Sequence, residues 1–286
     1  MMMKIIQQIL VLLLATASRL SALSSNHNKY RRLFHSSNLA ATSPVSRQNF
    51  IQNVVVSLVS SSPILLLSSQ KSQAKEDDTS LTDVYFGTGC FWHIQHEFVL
   101  SERQRLNRPF NQVTSKTGYA GGTATDKEGR VCYHNLQGIA DYGNLGHGEV
   151  VGMRIPESSV VDFASDYLKM FSPNGERVDP MDRGAEYRAL IGLPQGILHP
   201  SFKEIDAIAN RNGFKLLPGK GNDPDTYGTK SIYVYDTAKF PFFQAEVYHQ
   251  YHNDFQSKPY GKDYNILAEK AFTEGRLKVT GCPDRV

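Results

Sequence analysis

The stretch Asp83-Val84-Tyr85-Phe86-Gly87-Thr88-Gly89-Cys90-Phe91-Trp92-His93-Ile94-Gln95-His96-Glu97-Phe98-Val99 changes its periodicity halfway along. Asp83 to Phe86 form a short β-type run and Gly87-Thr88-Gly89 is a turn signal. Phe91, Ile94, Phe98 and Val99 then recur at helical spacing. The pattern predicts a strand, a tight turn and a helix, with Cys90 at the first helical turn. Further along, Gly148 to Arg154 and Ser231 to Tyr235 read as strands, whereas Ser158 to Phe171 and Pro200 to Asn212 read as helices, the second followed by Gly213. Pro109 and Gly118 to Gly122 mark loops. Strands and helices interleave from about Thr79 onward without repeat or long linker, which predicts a single layered α/β or α+β domain.

The chain has 286 residues, a formal net charge of +3 and three cysteines, with 40% hydrophobic and 21% charged residues. This is ordinary globular usage and excludes a fibrous or wholly disordered protein. The charge is unevenly placed. Residues 1–75 hold eight basic residues (Lys4, Arg19, Lys29, Arg31, Arg32, Arg47, Lys71 and Lys75) and no acidic one, which leaves 23 basic against 28 acidic residues, a net −5, for 76–286. The basic excess therefore belongs to the leader, and no basic patch on the folded part argues for nucleic acid.

Within the leader, 1–23 is signal-like, 24–50 is Ser- and Arg-rich like a transit peptide, and 54–67 is a second apolar stretch broken by Ser60-Ser61-Ser62-Pro63. The apolar runs are too short and interrupted to prefer a spanning helix, so no stable membrane insertion of the mature domain is expected. Residues 1–75 are expected to be a cleavable targeting leader and 76–286 the functional domain, with a tail at 257–286. The series fits import into a plastid bounded by extra membranes, with extracellular or endomembrane delivery as the alternative.

Chemistry concentrates at Cys90. A helix N-terminus supplies partial positive charge and free N–H groups that favour thiolate, which predicts a nucleophile with a lowered pKa. Phe91 and Trp92, the only tryptophan, would wall an apolar pocket suited to a small polarizable group such as a thioether methyl.

Five ordered blocks carry a resemblance: Gly89-Cys90-Phe91-Trp92; Thr117-Gly118-Tyr119-Ala120-Gly121-Gly122; Gly146-His147-Gly148-Glu149-Val150-Val151; Asp182-Arg183-Gly184-Ala185-Glu186-Tyr187-Arg188; and Ala245-Glu246-Val247-Tyr248-His249-Gln250. From about Val84 to Phe255 the chain resembles the A-type peptide methionine sulfoxide reductases, enzymes that reduce the S epimer of methionine sulfoxide and repair oxidised proteins under oxidative stress. The resemblance implies an oxidoreductase with Cys90 as the nucleophile that becomes a sulfenic acid. It implies Glu149 as the proton donor to the sulfoxide oxygen, a carboxyl raised in pKa by its aromatic site. Phe91 and Trp92 would cage the methyl group, and Asp182 and Tyr187 would be further polar members of the pocket. It implies no bound cofactor; an external thiol, thioredoxin or dithiothreitol, supplies the electrons. Substrates would be oxidised methionine in proteins and peptides. Both lines lead to an α+β fold, a two-layer sandwich around a mixed sheet with a ferredoxin-like core.

The chain departs from the family in places. The family's Tyr-x-x-Val-Cys block is stretched over Val131 to Tyr142, so the pocket tyrosine is expected to be Tyr142, with Tyr133 as the alternative. His93 and His96 add imidazoles near the thiol, and Glu186 replaces a glutamine. The candidate resolving cysteine is Cys282 in Thr280-Gly281-Cys282-Pro283, with Cys132 as rival and a buried, inert cysteine as the plainer reading of Cys132. No Cys-x-x-Cys knuckle or His-Glu-x-x-His helix exists, so no metal is expected. The competing function is a Cys–His hydrolase or acyltransferase, with His147 or His249 as base and Asp182 as orienter.

Overall fold

The structure, a computed structural model, describes residues 80–177 and 181–283; the leader and its expected cleavage site lie outside the described residues. The decisive stretch folds as its pattern predicts. Strand β1 (Leu81–Gly87) buries Val84 and Phe86 on one face and Tyr85 on the other, and after the turn helix α1 (Phe91–Arg105) begins with Cys90 at its N-cap. Next come β2 (Lys116–Ala120), β3 (Gly148–Pro156), helix α2 (Val160–Lys169) and β4 (Leu190–Leu193).

Within this run the sheet order is β4-β1-β3-β2 with every neighbouring pair antiparallel, the ferredoxin-like arrangement in which β3 lies between β1 and β2. Helix α3 (Phe202–Arg211), β5 (Lys215–Pro218) and β6 (Ser231–Asp236) extend the β4 edge with parallel pairs, and the short β7 (Phe243–Gln244) closes the β2 edge. The result is a mixed sheet of seven strands, an α+β fold. Two short helices, α4 (Lys262–Asn265) and α5 (Leu267–Thr273), complete the chain. Among the described residues no helix is long and apolar enough to cross a membrane.

The segment expected to be a loop at Gly118 to Gly122 is in part strand β2. Gly118 is compatible with that strand because a side chain there would collide with the Phe242 ring and the Phe243 carbonyl, both within 2.3 Å of an added Cβ. The glycine marks a close approach, which its sequence neighbourhood makes indistinguishable from a turn.

Helices α1, α2 and α3 cover one face of the sheet. Ile94 and Phe98 of α1 and Phe163 and Tyr167 of α2 pack with Phe86, Val151, Ile191 and Val234 in the main core. The other face is capped by Phe240 and Phe242 over Tyr85, Val150 and Tyr235. Helix α1 is also buried on its far side, where Val99 meets Tyr251, Tyr264 and Leu267. At its end the fully buried Glu102 accepts from the backbone N–H groups of Thr114 (2.8 Å) and Ser115 (2.7 Å) and pairs with Arg108. This carboxylate fastens α1 to the start of β2. Removing one partner of a buried, hydrogen-bonded ion pair leaves the others uncompensated, so Glu102→Ala is expected to cost about 3–5 kcal/mol. Urea unfolding of the variant beside the unaltered protein measures this.

Candidate active site

The turn between β1 and α1 sets the geometry. Gly89 adopts φ +65°, and an added Cβ there would lie 2.9 Å from Asp182 Oδ2. The backbone can therefore come close to a carboxylate: the Cys90 N–H donates to Asp182 Oδ2 at 2.7 Å, and the next N–H, of Phe91, donates to Glu149 Oε2 at 2.9 Å. Two carboxyl groups thus take up the first free donors of α1. Glu149 is presented by β3, one strand over from β1, and Asp182 by the loop before β4.

A cavity of about 100 Å³ opens at this point. It is lined by Cys90 and Glu149, by the rings of Phe91, Trp92, Tyr133 and Tyr187, and by Asp182 and Met170. Of the residues singled out in the sequence, Cys90, Phe91, Trp92, Glu149, Asp182 and Tyr187 all line this one space. Tyr142 does not. It is the correction at this site: Tyr133 reaches the wall, while Tyr142 is buried behind Glu149, donates its hydroxyl to Glu149 Oε1 at 3.2 Å and stacks on Tyr119. The bridge that pairs Cys132 with Asp141 folds the stretched block back on itself and brings both tyrosines to the same place at different depths. A single tyrosine position could not be read from a block whose register had been altered by the insertion.

Glu149 is fully buried and its carboxyl is pushed up to about 8, first by burial and then by the negative charges of Asp182 and Glu186, against the pull of the Phe91 N–H and Tyr142 hydroxyl. Near neutrality it holds a proton. Cys90 departs from the expected lowered pKa. Burial pushes its thiol well above the ordinary range, with Glu149 as the next cause, and the Trp92 and His93 N–H groups only partly offset this. The helix N-terminus does act on the thiol, through the Trp92 and His93 N–H groups, but burial and the nearby Glu149 and Asp182 carboxyl groups outweigh it.

Thr88, Met170, Asp254, Phe255 and Gln256 also line the cavity and went unnoticed in the sequence as site groups. Phe255 is 80% exposed and meets the Trp92 ring edge-on at 5.2 Å, forming the outer rim. Asp254 pairs with His93 across the mouth. No local motif announces this short loop after the last block; only the fold brings it over the thiol. The second imidazole, His96, points away and stacks on Tyr260 at 3.7 Å. His147 accepts from the Gly122 N–H at one ring nitrogen and donates to the Ala124 carbonyl through the other, and burial lowers its pKa. Neither His147 nor His249 lines the cavity.

The two cysteines that the sequence set against each other as resolving candidates are partners. Cys132 and Cys282 form a disulfide with Cα atoms 5.6 Å apart, and Cys90 is the free cysteine. Cys132 is buried, as its plainer reading had it, but it is not inert. The sequence separation of 150 residues hid the pairing; the C-terminal tail returns across the sheet edge, where Gln244 bonds Lys278 and Arg130 bonds the Gly281 carbonyl.

No family model matches the chain. A curated peptide methionine sulfoxide reductase MsrA of Lachnoclostridium phytofermentans is 24% identical over 173 residues, 60% of this chain and 86% of that protein. Among solved structures, reduced Mxr1 of Saccharomyces cerevisiae is similar at a TM-score of 0.39 and 18% identity, covering 60% of this chain and 84% of that one. Methionine sulfoxide reductase A of Corynebacterium diphtheriae is similar at 0.35 and 13%, covering 72% and 81%. In its ordered blocks and in its match to this curated relative, the chain is similar to the A-type peptide methionine sulfoxide reductases.

Proposed function

We propose that the chain reduces methionine-S-sulfoxide, free or within proteins, to methionine, with Cys90 as nucleophile and Glu149 as proton donor. One observation carries the reading: a thiol, a carboxyl that stays protonated near neutral pH and two aromatic walls converge on one small cavity. Sulfoxide reduction needs all three. Glu149 donates a proton to the sulfoxide oxygen, which makes the substrate sulfur electrophilic. The Cys90 thiol passes its proton to the Glu149 carboxylate so formed as its sulfur attacks that sulfur, the oxygen passes to Cys90 as a sulfenic acid, and methionine leaves two electrons richer. Phe91 and Trp92 hold the methyl group, and Asp182, Tyr187 and Tyr133 orient the polar end.

Recycling uses the other two cysteines. The Cys90 sulfenic acid and the two thiols of Cys132 and Cys282 give the Cys90 thiol, one disulfide and one water, so the observed disulfide corresponds to the spent form. A thioredoxin-type dithiol then restores it. The leader delivers the domain to an organelle, a plastid in the reading favoured by its two export-like segments; a reporter carrying residues 1–80 that stayed in the cytosol would overturn this.

The test offers the purified chain both epimers of a methionine sulfoxide peptide with dithiothreitol. Conversion of the S epimer alone is expected. Conversion of neither by folded, reduced protein would overturn the proposal. The hydrolase alternative loses its proposed bases, since His147 has both ring nitrogens bonded to backbone and His249 lies outside the cavity.

A further inference from the structure

A carboxylate sits against the disulfide. The sulfurs of Cys132 and Cys282 and an oxygen of Glu246 all lie within 4.8 Å of one another. Glu246 follows β7 and is fixed from two sides: the Tyr119 hydroxyl donates to Oε2 at 2.8 Å and the Tyr133 N–H donates to Oε1 at 2.9 Å. The two sulfurs are not equivalent. Cys132 is fully buried, whereas Cys282, on the tail, is partly exposed. An incoming thiol can reach only the second, so the electron pair released on exchange falls on the first. A thiolate left in that buried place is costly unless it is protonated or paired. The donors to Glu246 are the Tyr119 hydroxyl and the Tyr133 N–H, and on the tail side Arg130 is engaged by Asp126, Glu128 and the Gly281 carbonyl.

We propose that Glu246 is the acid–base residue of thiol exchange at the Cys132–Cys282 disulfide. This rests on the recycling half of the function proposed above. In the reductive direction, a thiol of a donor dithiol attacks the Cys282 sulfur as the Glu246 carboxylate takes its proton, the Cys132–Cys282 bond breaks, and the Cys132 sulfur takes the electron pair together with that proton, handed on by Glu246. The donor's second thiol then displaces Cys282 from the mixed disulfide. The donor leaves oxidised by two electrons, with its first proton on Cys132 and its second on Cys282, and Glu246 is a carboxylate again. In the oxidative direction, Glu246 accepts the Cys132 proton as that sulfur attacks.

The test follows release of the Cys132 and Cys282 thiols from the oxidised chain by alkylation and mass spectrometry, with dithiothreitol as the probe, across a pH series. Glu246→Gln is expected to slow release about 10- to 100-fold at pH 7 and to lose an inflection present in the unaltered profile. Glu246→Asp, which keeps the charge but withdraws it by one methylene, is expected to fall between the two with its inflection moved. It also carries the test if the amide disturbs folding. Release from folded Glu246→Gln at the unaltered rate, or equal slowing in both variants without change in the pH profile, would overturn the proposal. Because the assay reads thiols, a chain that formed no methionine would refute the proposed function and leave this test standing.

Discussion

Cys90→Ser is expected to abolish methionine formation from a methionine-S-sulfoxide peptide, a loss on the order of 10⁴-fold or more in kcat/KM. Cys90 is the one thiol among the residues that line the cavity, and Cys132 and Cys282 lie outside it. The same substitution removes the one free thiol, so titration of the oxidised, folded chain falls from one thiol to none. A second readout on the unaltered protein separates the observed electrostatics from the expectation drawn from the helix N-terminus. Burial holds the Cys90 thiol protonated, so iodoacetamide is expected to label it more slowly than free cysteine at the same pH. Faster labelling would mean that the helix field prevails over burial. The slow result has a functional sense: a thiol that ionises only as the substrate sulfur is activated stays resistant to stray oxidants between turnovers.

The strand-turn-helix around Cys90 was legible because each of its parts is local. Val84 and Phe86 alternate with Tyr85, Gly89 takes the positive φ of the turn, and Phe91, Ile94 and Phe98 share a helical face. Strand β2 was not legible, because Gly118 looks like a turn residue until Phe242, far along the chain, is seen to fill the space above it. The site divides the same way. Residues inside ordered blocks, Glu149 and Asp182 among them, could be named in advance. The rim at Phe255 and the union of Cys132 with Cys282 depend on contacts across many residues, and nothing near either cysteine in sequence carries that information. The thiol's pKa failed for another reason. The helix N-terminus was there, but the burial that outweighs it is a product of the whole fold, and the carboxyl groups that add to it come from β3 and from the loop before β4.

Glu149→Gln is expected to lower kcat/KM by about 10²- to 10⁴-fold, the usual worth of a positioned general acid. The amide keeps the shape: its one oxygen can still accept from the Phe91 N–H while its NH2 faces the Tyr142 oxygen, which can accept, so what it lacks is an acidic proton. The pH profile identifies the loss. A carboxyl raised to about 8 is protonated below that pH and ionised above it, so kcat/KM of the unaltered enzyme should fall on the alkaline side of about pH 8. The residual activity of the variant should show no such fall. Stability must move the opposite way. Because the folded state holds the Glu149 proton more tightly than the unfolded chain, with its ordinary value of 4.5, the fold loses stability as pH rises from there toward 8. The variant does not carry this penalty and is expected to be more stable at pH 7 by about 1–3 kcal/mol, with the difference shrinking toward pH 4. Urea unfolding at the two pH values measures it. A variant both inactive and less stable at pH 7 would mean that Glu149 is chiefly a structural partner of α1. One inactive yet more stable would mean that the fold tolerates a buried, costly carboxyl because that cost keeps a proton where the sulfoxide oxygen arrives.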